Sequence, residues 1–247
     1  MFLQLFSLPL VAFSSKKAAI LCLHDIGGKG KYALKTREFQ KLIKKIVQGK
    51  KKNLWQVLSF RDWLQSKEKK PTIVLTFDDG YLSLKKKVWP TLKKYNLGAT
   101  FYIYLNRYQK NSEFYSFLRE LPNQIEVGSH SLSHSDLSKP KQDSVQFYRE
   151  LLFSRLELEN RIGKPVVSFA WPYGSYSESR KKAAMAAGYL WQVSTDSKIE
   201  VFRPKKQIYA RFTLNRGKAL KQFSEIVNKL LSSSFAKLPE GSSTRTN

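Results

Sequence analysis

The sequence predicts an α/β fold: a single-domain, distorted (β/α)7–8 barrel of TIM-like architecture. Three observations carry that expectation. Short apolar runs rich in β-branched and aromatic residues alternate with amphipathic helical patterns six or seven times along the 247 residues. Neither an internal repeat nor a Pro/Gly-rich linker divides the chain. Each unusual polar residue (His24, Asp78, Asp79, His130, Pro172, Tyr173) falls at the C-terminal end of a predicted strand, where barrels of parallel strands gather their chemistry.

In chain order, AAILCLHDI (18–26) reads as a strand and TREFQKLIKKIVQ (36–48) as an amphipathic helix opened by Thr36. SFRDWL (59–64) is a short helix with Ser59 as N-cap and Asp62 three residues on. The strand 72–77 follows, then a basic helix over 84–96 closed by Gly98 and the strand ATFYIYL (99–105). A short helix near 111–119 leads to IEVGSH (125–130), and the helix 143–162 stops at Gly163. VVSFAWPYG (166–174), the helix 177–188, YLWQVS, IYARFTLN (208–215) and a last helix over 217–231 complete the pattern. Residues 18–232 are thus expected to form the domain, with 233–247 a polar tail.

Hydrophobic residues make up 42% and aromatic residues 13%, which excludes a disordered chain. Lys and Arg number 44 against 19 Asp and Glu, a formal charge of +25. That surplus favours an anionic polymer or a membrane surface as a partner, although solvated helix faces account for much of it. Nucleic acid is not expected: the lysines are spread over several helices and no nucleic-acid motif is present. The lone Cys22 excludes an intrachain disulfide and a cysteine-rich zinc site. Residues 1–17 read as a signal peptide or N-terminal anchor, so an exported or envelope-associated protein is expected over a cytoplasmic one. A buried first strand is the competing reading. A monomer is expected.

TIVLTFDDGYLS (72–83) ends an apolar strand in two adjacent carboxylates, Asp78 and Asp79. Such a pair repels itself and is costly to desolvate, so packing alone gives no reason for it. GSHSLSH (128–134) sets His130 and His134 four apart, a spacing that brings two imidazoles to one side of a helical turn. Two imidazoles and a carboxylate form a common three-ligand set for a divalent cation, zinc by default, with nickel, cobalt or iron as alternatives. A cation would also offset the repulsion within the aspartate pair.

TFDDGY, HSLSH and FAWPYG (169–174) together resemble the polysaccharide deacetylases, the carbohydrate esterase family 4 or NodB-homology enzymes, over about residues 18–215. The resemblance implies a metal-dependent hydrolase that removes N-acetyl groups from N-acetylhexosamine units of a glycan. It implies Asp79, His130 and His134 as metal ligands and Asp78 as the base that activates water. It further implies the Tyr173 backbone N–H as an oxyanion donor and Thr76 as a support.

Two departures from the family pattern matter. The family's general acid is usually a histidine on a C-terminal strand, and no histidine follows His134. ILCLH (20–24) instead ends the first strand in a histidine, as in the permuted branch of poly-N-acetylglucosamine deacetylases. His24 is therefore the candidate acid, with a capping or core histidine as the plain alternative. Ala170 stands where the family often has an arginine that orients the catalytic aspartate; Arg211 is the candidate replacement, and Asp196 a candidate to orient Arg211 or His24. Trp171, Pro172 and Tyr173 are candidate substrate contacts, Trp171 by stacking on a sugar; Tyr176 is a weaker stacking candidate and Trp191 is expected in the core. The rival to an enzyme is a catalytically degenerate member that binds an anionic glycan or surface.

Overall fold

The computed structural model describes residues 15–108, 112–138 and 144–232. Most of the segment 1–17 and all of the tail 233–247 lie outside the described residues. Among the described residues ten strands form the sheet: β1 (Lys17–Leu23), β2 (Gln56–Leu58), β3 (Thr72–Phe77), β4 (Ala99–Ile103), β5 (Ile125–Ser129), β6 (Ser168–Ala170), β7 (Trp191–Val193), β8 (Glu200–Val201), β9 (Ile208–Tyr209) and β10 (Phe212–Thr213). Their main order is β10-β1-β3-β4-β5-β6-β7-β9, all in parallel pairs. β9 and β10 are separated only by Ala210 and Arg211, so the run 208–213 pairs with β7 at its start and β1 at its end. That run joins the two edges of the sheet and nearly closes the barrel. β2 and β8 are additions at the other end, β2 parallel to β3 and β8 antiparallel to β1.

Parallel strands buried on both faces need apolar residues at successive positions, and β1 and β3 supply them. The period of two sorts those residues into separate cores. Ala19, Leu21 and Leu23 of β1 face the helices, whereas Ala18 and Ile20 join Val74, Tyr102, Val193 and Tyr209 inside the barrel. The helix Phe60–Gln65 stoppers the N-terminal mouth by placing Phe60, Trp63 and Leu64 in that inner core. Its start is set as the sequence indicates: Ser59 Oγ accepts from the Asp62 N–H. Trp63 is fully buried, and cutting it to alanine is expected to cost about 3–5 kcal/mol.

Three local expectations change. The helix after β3 opens with a wide π-type turn at Leu84–Val88, continues over Trp89–Tyr95 and is ended by Asn96 in the left-handed region (φ 48°). Gly98 serves a different need: a Cβ there would lie 2.8 Å from the Ser59 nitrogen, so the glycine admits close passage of backbone. The helix 144–162 likewise contains a π-type turn, Arg149–Phe153, before it stops at Gly163. No helix among the described residues is long and apolar enough to cross a membrane.

Candidate active site

The C-terminal ends of the strands surround a cavity of about 380 Å³ whose walls include His24, Asp78, Asp79, His130, His134 and Tyr173. On β3 the alternation that turns Thr76 inward turns Asp78 inward as well. Asp79 would follow the opposite face, but its left-handed backbone (φ 71°) swings the carboxylate back beside its neighbour. A non-glycine residue in that region costs on the order of 1–2 kcal/mol, a strain placed at the strand end where the chemistry gathers.

His130 extends β5 by one inward position, its N–H still bonded to the Ile103 carbonyl at 2.9 Å. The His130 Nδ1 lies 2.8 Å from the Ala170 carbonyl oxygen, which can only accept. The ring proton is therefore held on Nδ1, and the Nε2 lone pair faces the cavity. Burial pulls the pKa of His130 down despite the two aspartates, which keeps the ring neutral. His134 arrives by another route than expected. Residues 130–134 are not a helical turn; Ser131 (φ 73°) and His134 (φ 64°) both take left-handed backbone. Ser131 Oγ accepts from the His134 N–H, and the buried Glu150 accepts from the N–H groups of Leu132 and Ser133. Glu150 was not legible as a site residue, because its only signal is a charge within an otherwise ordinary amphipathic helix.

The result is convergence on one atom. Asp79 Oδ1 is buried with no hydrogen-bond partner, 3.6 Å from His130 Nε2 and 3.3 Å from His134 Nε2. An orphaned carboxylate oxygen facing two imidazole nitrogens, one with its tautomer fixed, fits a divalent cation; apolar packing would leave all three groups unsatisfied.

Asp78 is held differently. Arg211, wholly buried, donates from Nη1 to Oδ1 and from Nη2 to Oδ2, each at 2.7 Å. Arg211 is braced by Thr76 Oγ1 (3.0 Å), itself bonded to the Leu21 carbonyl, and its Nε donates to the Ser194 carbonyl. Burial pushes the Asp78 carboxyl up, but the Arg211 guanidinium outweighs it and holds the group well below the usual carboxylate range. The Cys22 thiol, driven up by burial and so kept as S–H, lies 3.4 Å from Asp78 Oδ2 as a weak donor. Cys22 was not anticipated at the site; its position two residues before His24 on an inward-facing register is the signal that would have found it.

His24 sits across from this pair, half-buried and stacked on Tyr32 at 5.2 Å, with its Nδ1 free of any partner. Tyr173 is 65% exposed, in left-handed backbone (φ 60°), with its ring 4.8 Å from that of His134. Pro172 is buried beneath it. Two expectations fail here. Trp171 has no exposed surface: its indole N–H donates to Gln192 Oε1 and its ring packs on Phe169 and Tyr176, so no face is open to a sugar. Asp196 reaches neither Arg211 nor His24, because its carboxylate accepts from the Ser194 hydroxyl at 2.6 Å. Tyr176 is half-buried against the outer core, and Trp191 packs, partly buried, on the inner core.

The profile of the polysaccharide deacetylase family matches residues 65–191. The chain belongs to the polysaccharide deacetylase family. Among curated relatives, it is 28% identical over 189 residues to YxkH of Bacillus subtilis, named as a candidate polysaccharide deacetylase, covering 73% of this chain and 65% of YxkH. It is 30% identical over 125 residues to the peptidoglycan-N-acetylglucosamine deacetylase PgdA of Listeria monocytogenes, covering 50% of this chain and 26% of PgdA. The chain thus spans less than two thirds of either relative. The barrel is shared with solved members: BC0361, a polysaccharide deacetylase from Bacillus cereus, superposes with a TM-score of 0.71 at 21% identity, covering 86% of this chain and 69% of that one. IcaB from Ammonifex degensii gives 0.71 at 17% identity, covering 86% and 97%.

Proposed function

We propose that this chain hydrolyses the N-acetyl group of N-acetylhexosamine units in a glycan, with a divalent metal, zinc by default, held by Asp79, His130 and His134. The observation that carries the reading is the buried, unpartnered Asp79 Oδ1 facing two imidazole nitrogens. When bound, such an ion polarises an amide carbonyl and lowers the pKa of water.

The chain's own groups supply the rest. Asp78 is the proton acceptor; Arg211 keeps it ionised and fixes the plane of its carboxylate, at the expense of basicity. His24 is the proposed carrier of the proton that the departing amine needs, a role supported by an Nδ1 with no hydrogen-bond partner. The Tyr173 backbone N–H is the proposed donor to the developing oxyanion, while the Tyr173 ring offers an exposed aromatic face to a sugar. Membership of the family and the likeness to PgdA support a glycan as substrate.

Acetate release from a defined N-acetylglucosamine oligomer, measured with the full chain, tests this reading. Activity is expected to vanish with chelator, return with a divalent ion, and fall about 10²- to 10⁴-fold in Asp78→Asn of verified fold. Full activity in that variant would remove Asp78 from its role. Tight binding of the oligomer with no acetate released under any metal would favour the non-catalytic, glycan-binding alternative.

A further inference from the structure

The helical layer is electrically lopsided. The helix Thr36–Lys51 carries six Lys and Arg and one acid, Glu38; the adjoining segment 84–95 carries five and none. The next helices along, Ser112–Glu120 and the segment 144–162, carry four basic residues against five acidic ones. Eleven of the chain's 44 Lys and Arg residues thus lie on two neighbouring helices, stitched together by Lys87 Nζ on Thr36 and Lys50 Nζ on the Asn96 carbonyl.

Between the two lies a groove of about 420 Å³ lined by Gln40, Lys44, Pro90, Thr91, Lys94 and Tyr95. Lys44 and Lys94 stand on opposite walls, and Lys41, Lys45 and Lys93 are exposed beside them. None of these five is paired with a carboxylate among the described residues. Glu38 does not neutralise them, because it accepts from the N–H groups of Gly217 and Ala219. Clustered like charges oppose folding, so a face built this way carries a standing cost that a bound anion relieves.

The chemistry of the face narrows the anion. Lysine presents point charges without the fork of arginine, and so responds to charge density along a chain more than to one phosphate or carboxylate geometry. No large apolar side chain is exposed on either helix, which removes the anchor a membrane surface would use. Tyr95, the aromatic side chain in the groove lining, is partly buried and has Lys94 Nζ over its ring at 5.5 Å, so the groove offers no row of open aromatic faces on which successive bases would stack. We propose that this face binds an extended anionic polysaccharide, one bearing a carboxylate or phosphate on successive units, along the groove between the two helices. The choice of a glycan among polyanions rests on the deacetylase reading.

The test is binding of the full chain to labelled polygalacturonate, with neutral dextran and a single-stranded DNA as comparisons, at about 50 and 300 mM salt. Lys41→Glu/Lys44→Glu/Lys94→Glu is set beside Lys182→Glu/Lys205→Glu/Lys221→Glu, exposed residues elsewhere with the same change of charge. The groove variant is expected to lose at least about tenfold in affinity for polygalacturonate and the control less than about threefold, with wild-type binding weakening steeply with salt. Equal losses in the two variants would overturn the proposal, as would no binding at low salt or DNA bound tenfold more tightly than the glycan. The readout needs no hydrolysis, so a failed acetate assay and a failed binding assay are told apart.

Discussion

Two carboxylates are buried inside the same barrel and are treated in opposite ways. Asp78, at the C-terminal end, is gripped at both oxygens by a buried guanidinium and kept ionised. Glu126, near the sealed end, accepts from Ser168 Oγ, Thr100 Oγ1 and the Arg61 N–H, none of them charged. Burial pushes the Glu126 carboxyl up, and neutral donors do not reverse it. Between them Tyr102 fills the barrel, its ring 5.4 Å from the Arg211 guanidinium and admitted by Gly128, where any Cβ would strike it. Depth does not separate the proposed proton acceptor from a structural carboxylate here. A matched charge and an open cavity above it do.

The largest effect is expected from breaking the charged pair. Arg211→Met should lower stability by about 3–5 kcal/mol, since it strands a buried carboxylate. Asp78→Asn should cost a comparable amount by stranding the guanidinium. In the double variant the two losses should fall short of their sum by at least about 2 kcal/mol, read from denaturant unfolding. Simple additivity would mean that the pair is not coupled.

A smaller effect sharpens the contrast. Glu126→Gln should leave acetate release intact and change stability by less than about 1 kcal/mol at a pH below the ordinary carboxylate range, where amide and protonated acid present similar hydrogen-bonding groups. The pH dependence distinguishes the two ends. Glu126 has its folded pKa above its unfolded one, so its contribution is complete below the unfolded value and lost as pH rises through the folded value. Asp78 has its folded pKa depressed, so its contribution is present above the unfolded value and lost as pH falls through the folded one. The Gln variant should therefore flatten the loss of stability that sets in as pH rises above the unfolded carboxylate value, and leave the acid limb unchanged.

The smallest effect concerns the rim. Tyr173→Ala removes an exposed ring but retains the backbone N–H, so KM for the oligomer should rise by about 3- to 10-fold with kcat little altered. A fall confined to kcat would place the ring, and not the backbone alone, in the chemistry.

The barrel was legible because strands buried on both faces and capped helices leave local marks: the apolar run of β3, Ser59 before its helix, Gly163 after another. The aspartate pair and the spacing of His130 and His134 pointed to residues that the structure brings together. The means of convergence was hidden, because left-handed backbone at Asp79, Ser131 and His134 has no marker without glycine. Trp171 misled through adjacency: a residue beside a motif need not share its exposure, and this one lies against the cavity but is wholly buried. Glu150 left no mark beyond a charge in an amphipathic helix, whereas Cys22 could have been found from its inward register two residues before His24.

The most direct test of the proposed metal centre is elemental analysis of the purified chain beside His130→Ala. The geometry predicts about one divalent ion per wild-type chain, lost in the variant while its fold, followed by circular dichroism, is retained. Wild-type protein that takes up no ion even after reloading, or a variant that binds one equally well, would contradict it.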